Sequence, residues 1–239
     1  MVTSVLVPLD GSDTSAGALS LADRYARAEG VGLEVIHIEV PGPRVGRKTL
    51  EKQLRDAGVE PHRATIHMVA TSAPMVSALA EIVSRATDSM VCLASTGRGR
   101  SGAAAGSTAV ELVRLVETPV IVIGPEGRDR GCDGPVLVAL DRDRGAHRTA
   151  AFAHHLAGVL GTGSESVPLD LDAEPAVIAD SLIEQAADRD ASLLALATPA
   201  APGRRDLVAE GVALRVLLRA ACPVLLARAG ASLGVPADA

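Results

Sequence analysis

The stretch that decides the fold is residues 92–109, CLASTGRGRSGAAAGSTA. An apolar run at residues 90–94 leads into it and predicts a buried strand. Ser107 and Thr108 then open an apolar helical pattern that they can cap, and a helix N-terminus carries partial positive charge. Glycines between the two elements let main-chain N–H groups turn towards an anion. These glycines are Gly97, Gly99, Gly102 and Gly106. Strand, glycine-rich loop and capped helix together predict a phosphate site made of main-chain amides.

The same residues allow other interpretations, of which one stays open and two are disfavoured. Glycine-rich loops are common, so this one could also be a plain surface loop before a well-capped helix. A Walker A loop is absent because Gly106, not Lys, precedes Ser107. Residues 97–102 match the dinucleotide fingerprint G-x-G-x-x-G, but that fingerprint belongs on the first strand–helix turn of its domain. Here it follows a late strand, which disfavours dinucleotide binding.

The composition narrows the class of protein. The chain has 239 residues, 48% of them hydrophobic, and its aromatic residues are Tyr25 and Phe152. A formal charge of -6 and the near-absence of aromatic residues argue against nucleic acid as a partner. No apolar run approaches the roughly 20 residues of a membrane helix, and no leader opens the chain, so we expect no membrane partner. Three scattered cysteines without a metal motif indicate a cytoplasmic protein.

Strands alternate with helices in the first half of the chain. Apolar runs at residues 5–9, 33–40, 64–69, 90–94 and 119–123 predict strands. Such alternation predicts an α/β fold with a doubly wound parallel sheet, and the order 3-2-1-4-5 would place strands one and four side by side. Asp10 would then face the same crevice as Gly97, although Asp-Gly-Ser at a strand end is also ordinary turn chemistry. Thr14 or Ser15 is expected to cap the first helix.

The pattern starts again after a polar, glycine-rich segment. Residues 135–141 repeat residues 4–10, and residues 222–226 repeat residues 118–122 at an offset 27 residues shorter. The second copy is therefore predicted to lack one strand and one helix. The expected organisation is a first domain at 1–125, a linker at 126–134, a second domain at 135–230 and a tail at 231–239. Prolines and acidic residues replace the glycine-rich loop in the second copy, so we expect no nucleotide there.

With these residues described, the chain resembles a tandem universal stress protein. The resemblance rests on VLVPLDGS at 5–12, VIHI at 35–38, TGRGRSGAAAGST at 96–108 and VELVRLVETPVIVI at 110–123. It implies two adenine nucleotide alpha hydrolase-like domains, the second shortened. It also implies a stress-response or regulatory protein that binds ATP or another adenine nucleotide in the first domain, with or without Mg, and has no dedicated catalytic residues.

The resemblance also assigns site residues. It places Pro8, Asp10 and Ile38 around adenine and ribose. It places Gly97, Gly106, Ser107 and Thr108 on the phosphates. The sequence departs from the family, whose pattern is G-x2-G-x9-G-S/T, in three ways: Ala94 stands for the first glycine, Thr96 stands where the family loop often has histidine, and eight residues rather than nine separate Gly97 from Gly106. No metal-binding residue is expected.

Two further expectations concern assembly and activity. The family often joins two domains through their last strands, so residues 119–123 and 224–228 are expected to pair antiparallel in an internal pseudo-dimer, with a homodimer left open. A scaffold of the same fold that has lost nucleotide binding is the alternative function. An enzyme is the third hypothesis, and it is disfavoured because no histidine lies in the glycine-rich loop and no nucleophile-elbow motif occurs.

Overall fold

The computed structural model describes residues 2–39, 44–86, 88–95, 107–129, 131, 133–140, 146–170, 172–198 and 211–228. Strands and helices alternate along these residues. The strands are β1 (Ser4–Pro8), β2 (Gly32–Glu39), β3 (Ala64–Ala70), β4 (Ser89–Ala94), β5 (Val120–Ile123), β6 (Val136–Leu140), β7 (Ser164–Pro168), β8 (Leu193–Thr198) and β9 (Val224–Arg228). The α-helices are α1 (Leu19–Glu29), α2 (Arg47–Asp56), α3 (Met75–Arg85), α4 (Ser107–Leu115), α5 (Ala146–Leu160), α6 (Pro175–Asp188) and α7 (Val212–Arg219).

The strands described form one sheet in the order β3-β2-β1-β4-β5-β9-β8-β6-β7. All pairs are parallel except β5 with β9, which run antiparallel with Ile121 opposite Leu225. The first half therefore has the predicted order 3-2-1-4-5, and the expected pairing of the two last strands is confirmed. The doubly wound α/β arrangement thus occurs twice along the chain, and the two copies share one sheet.

Among the residues described, the second half has one strand and one helix fewer than the first, as the shorter repeat predicts. A single helix, α6, connects β7 to β8, whereas α2, β3 and α3 lie between β2 and β4. Helix α6 packs against α7 on the sheet face where α3 packs against α4, so α6 is the counterpart of α3. The missing unit therefore corresponds to α2 and β3. Because of this loss, β7 is an edge strand, while its counterpart β2 lies between β1 and β3.

Two hydrophobic layers cover the two faces of the sheet, because successive strand residues point to opposite faces. One layer holds α1, α2 and α5 with Ile121 and Leu225, and the other holds α3, α4, α6 and α7 with Val122 and Val224. Both layers continue across the antiparallel pair from one half to the other. Cys92 and Cys222 are both buried.

Polar contacts also join the two halves, in addition to the apolar contacts at the seam, by which we mean the antiparallel pair β5–β9. Arg24 on α1 donates two hydrogen bonds to the carboxylate of Asp129, at 3.1 and 2.6 Å. His155 on α5 pairs with Glu29 on α1. These contacts lie on the α1–α5 side of the sheet, where those two helices pack together. The chain between the halves is thus fixed to the first half by a bidentate ion pair.

Candidate functional site

The site expected from the sequence lies where β1 and β4 end. The two strands are parallel neighbours, with Leu6 opposite Val91, so their carboxyl ends lie at the same edge of the sheet. In doubly wound sheets the ligand crevice opens at such an edge, where the strand order reverses. Pro8 and Ala94 end the two strands and are both half-buried. The structure therefore brings these two predicted residues to one edge.

The predicted phosphate-binding residues are described only in part. Gly97 and Gly106 lie outside the described residues. Helix α4 begins at Ser107, with Thr108 following in its first turn, as the sequence predicts. Ser95, the last described residue before the loop, is buried and donates its main-chain N–H to the carbonyl of Ile123 at 2.8 Å. The end of β4 is therefore anchored to β5 where the loop begins.

Asp10 forms a tight turn just after β1. Its Oδ1 accepts hydrogen bonds from the main-chain N–H of Ser12 at 2.9 Å and from the Ser12 hydroxyl at 2.6 Å. An aspartate that bonds the main chain two residues later forms an Asx turn, which holds its own carboxylate in a fixed orientation. Asp10 itself is half-buried at this edge of the sheet. A carboxylate held in a fixed orientation suits a ribose hydroxyl or a base N–H as the donor to it.

The start of the first helix differs from the prediction that Thr14 or Ser15 caps it. Thr14 has helical dihedral angles and makes no side-chain cap bond, and Ser12 takes the capping role instead. Its hydroxyl oxygen accepts the N–H of Ser15 at 3.2 Å. The helix then begins with a 3-10 turn at Ser15–Ala18 before α1. Ser12 therefore links the Asp10 turn to the helix start, because one hydroxyl donates to Asp10 and accepts from Ser15.

Ile38, the third residue expected near adenine, lies towards the end of β2. Its side chain is buried and belongs to the layer that contains α3 and α4. The assignment of Ile38 to the adenine site stays a prediction.

Two buried polar residues at this edge were missed by the sequence reasoning. His37 on β2 and Gln53 on α2 are 4% and 5% exposed, respectively. His37 Nδ1 lies 2.8 Å from the carbonyl oxygen of Leu9, and Gln53 Nε2 donates to the carbonyl of Ser12 at 2.6 Å. A histidine inside the apolar run VIHI was the available signal for His37. Gln53 gave no signal, since only the fold brings α2 against the turn after β1.

Two further properties concern metal and membrane binding by the described residues. They contain no group of three or more His, Cys, Asp and Glu side chains that could hold a metal ion. None of their helices combines the length and apolar character that crossing a bilayer requires.

The fold and the site define a class of protein: a doubly wound parallel sheet with an acidic turn at the β1–β4 edge, and with a glycine-rich sequence before α4. Comparison with known families narrows this class. The model of the universal stress protein family matches residues 1–124, and the chain belongs to that family. A search of curated proteins finds no significant match.

Solved structures extend the likeness in fold to both halves. A protein described as functionally unknown from Pseudomonas aeruginosa PAO1 is 15% identical, with a TM-score of 0.68, over 95% of this chain and 93% of that one. A universal stress protein from Archaeoglobus fulgidus DSM 4304 is 14% identical, with a TM-score of 0.67, over 95% of this chain and 98% of that one. At these identities the likeness concerns the fold alone.

Proposed function

We propose that this protein is a cytosolic stress-response or regulatory protein that binds an adenine nucleotide, ATP in the first instance, in its first half. The observation that carries the proposal is the Asp10 turn. It places an oriented carboxylate at the end of β1, beside the strand from which the glycine-rich sequence leads into α4. Membership of the universal stress protein family supports the stress-response role.

In the proposed mode of binding, main-chain amides hold the phosphates. Gly97 and Gly106 would let the chain approach the anion closely, and the N-terminal turn of α4 at Ser107 and Thr108 would add its partial positive charge. Asp10 would accept hydrogen bonds from the ribose or the base. Pro8, Ile38 and Ala94 would complete the walls of the crevice.

The proposed function is binding, without dedicated catalysis. A hydrolytic reaction needs a general base or an activated nucleophile within hydrogen-bond reach of the reacting atoms. The histidine at this edge, His37, is buried on β2 and its Nδ1 contacts the Leu9 carbonyl. The contact of His37 with the main chain therefore accounts for its presence at this edge.

A scaffold that does not bind nucleotide is the second candidate. The spacing of eight residues between Gly97 and Gly106, and Ala94 at the first glycine position, favour it, since both change the main-chain donors or their approach to a phosphate. The two candidates make opposite predictions for the same titration.

The test is equilibrium dialysis of the full chain with radiolabelled ATP, with and without Mg²⁺. We expect a single equivalent bound per chain, with Gly97→Glu abolishing binding because a carboxylate would occupy the anion site. The matched control is Gly203→Glu in the corresponding loop of the second half, which should leave binding unchanged. Absence of binding by the unmodified chain would contradict the proposal and support the scaffold; equal binding by the Gly97→Glu chain would contradict the assigned site.

A further inference from the structure

The main chain just after β1 is held by a side chain of the neighbouring strand. Leu9 follows the last residue of β1, and its N–H donates to the Ile36 carbonyl at 2.9 Å. Its carbonyl oxygen lies 2.8 Å from His37 Nδ1, so a hydrogen on Nδ1 is donated to Leu9. Both polar groups of the Leu9 main chain are therefore bonded to β2. This fixes the residue immediately before Asp10.

A second side chain holds the other end of the turn. Gln53 Nε2 donates to the Ser12 carbonyl at 2.6 Å, and the same carbonyl also accepts the Ser15 hydroxyl at 2.9 Å. Gln53 Oε1 is buried, with no hydrogen-bond partner among the described residues. A buried amide that is satisfied on one side only is a poor source of stability. The role of Gln53 is therefore better explained by the position in which it holds Ser12 than by a gain in stability.

The two contacts enclose the Asp10 turn. His37 holds the residue before Asp10, and Gln53 holds Ser12, whose N–H and hydroxyl both bond the Asp10 carboxylate. Strand β2 and helix α2 thus act on the carboxylate through the main chain. Neither side chain needs to touch a ligand to do so.

The second half provides an internal comparison. The pair β6–β7 has the same register as β1–β2. Ser4 lies opposite Gly32 in the first half, and Val136 lies opposite Ser164 in the second, with the same separation in sequence. In this register Leu140, the counterpart of Leu9, lies opposite Pro168. The repeat therefore places Pro168 where the first half has His37. Proline has no side-chain donor, and no helix between β7 and β8 corresponds to α2 in the part of the chain that the structure describes. Among the described residues, the half that is expected to bind no nucleotide has no counterpart of either side chain.

We propose that His37 and Gln53 are positioning residues that hold the Asp10 carboxylate for the adenosine part of the nucleotide. The placement of the turn follows from the contacts above, and its effect on affinity rests on the proposed function. The effect of losing either contact should be selective. Binding of the adenosine part should weaken, while binding of the phosphates, which the glycine-rich loop and α4 would hold, should not change.

The first measurement needs no ligand. Amide hydrogen exchange of Ser12 reports its hydrogen bond to Asp10, and the Val91 amide, bonded to the Pro119 carbonyl at 2.9 Å, serves as the reference in the core. In Gln53→Met and in His37→Leu we expect exchange at Ser12 to quicken about tenfold, with exchange at Val91 unchanged, because the loss of a bond worth about 1.4 kcal/mol corresponds to a tenfold change. His37→Asn, which keeps a donor near the Nδ1 position, should restore slow exchange. The control Gln185→Met, on α6, should have no effect on Ser12.

The second measurement compares ATP with inorganic tripolyphosphate by calorimetry on the same variants. We expect ATP to bind about tenfold more weakly to Gln53→Met and His37→Leu, with tripolyphosphate unchanged and His37→Asn close to the unmodified chain. Unchanged Ser12 exchange in both variants would overturn the positioning role, whatever the ligand result. Equal losses for ATP and tripolyphosphate would overturn its selectivity. Absence of ATP binding by the unmodified chain would instead overturn the proposed function, and the exchange measurement would still decide the positioning role.

Discussion

Gly124, just after β5, lies against the main-chain carbonyl of Leu217 on α7, so closely that a Cβ atom at position 124 would be 1.9 Å from the carbonyl oxygen. The two residues belong to different halves of the chain. This approach of main chain to main chain is possible only for glycine. It occurs beside the antiparallel pair of β5 and β9, where the two hydrophobic layers continue from one half to the other.

Gly124→Ala is expected to lower the free energy of unfolding by about 1–3 kcal/mol or more, because the added methyl group forces the two main chains apart. Urea unfolding followed by circular dichroism measures the change. The control is Gly158→Ala on α5, where a Cβ would meet nothing within 4 Å. That variant should gain about 0.5–1 kcal/mol, since alanine is the better helix residue. Similar effects of the two substitutions would contradict the close approach at Gly124.

Leu225→Ala tests the apolar contact across the seam. Leu225 is 0% exposed and lies opposite Ile121 in the antiparallel pair. Removing a fully buried leucine side chain should lower the free energy of unfolding by about 2–5 kcal/mol. Both halves should still unfold in one transition, because both layers span the seam. Val177→Ala, at a residue 58% exposed, should change the stability by less than about 0.5 kcal/mol. Two separate transitions in the unmodified chain would contradict a shared core.

Tyr25 should titrate only when the protein unfolds. Burial of the side chain raises the pKa of its hydroxyl, and the nearby carboxylate of Glu29 raises it further. A hydroxyl whose pKa is higher in the folded state contributes stability below the unfolded pKa of about 10, and this contribution is lost as the pH rises above that value. Tyrosinate absorbance should therefore appear together with loss of circular dichroism. The chain contains 1 tyrosine, so the signal is unambiguous.

Tyr25→Phe is the matched variant for this titration. It should weaken the loss of stability above pH about 10, since the group that ionises is gone. Near neutral pH it should change the stability little, because the hydroxyl has no hydrogen-bond partner among the described residues. Tyrosinate absorbance with a midpoint near pH 10 in a chain that is still folded would contradict the burial of Tyr25.

The Asp180 carboxylate should stabilise the contact of α6 with α7 in a pH-dependent manner. Arg215 donates to its two oxygens at 2.9 and 2.8 Å, and Arg219 contacts it as well. The hydrogen bonds and charge of Arg215, with the charge of Arg219, lower the pKa of Asp180 from its ordinary value of 3.8. A lowered carboxyl pKa contributes stability above the unfolded value, and that contribution is lost as the pH falls below it.

Asp180→Asn should therefore lower the urea midpoint at pH 7, and the difference from the unmodified chain should shrink at acid pH. Salt should weaken the effect, because the pair is partly exposed. Asp188→Asn, at an exposed position on the same helix, should leave the midpoint unchanged. A difference between Asp180→Asn and the unmodified chain that is constant from pH 7 to acid pH would contradict the ion pair as its cause.

Much of the fold was predictable from local pattern. Apolar runs at period two and helical patterns between them predicted the strands of the first half to within a residue or two, since hydrophobic periodicity depends on neighbours in sequence. The repeat of residues 4–10 at 135–141 predicted the second half and its missing unit. The cap was predicted wrongly. Thr14 and Ser15 are both suitable cap residues, but the Asp10 turn places the Ser12 hydroxyl on the N–H of Ser15.

The candidate site was predictable only in its local parts. The sequence predicted that a strand ends near Pro8, just before Asp10. It also predicted the start of α4 at Ser107. Both were predictable because strand ends and helix starts have signals in neighbouring residues. The supports of the turn had no such signal. Gln53 is separated from Ser12 by 41 residues, and His37 from Leu9 by 28, so only the packing of α2 and β2 around β1 brings them together.

By itself, the sequence determined which segments are strands and helices, their alternation, and the duplication with its deletion, because these follow from side-chain pattern and chain length. Only the tertiary structure decided which polar side chains meet across the sheet, where Gly124 must leave room for Leu217, and how both hydrophobic layers pass from one half to the other. The physical reason is that such contacts join residues far apart in the chain, and their partners are set by strand order and helix packing rather than by neighbouring letters.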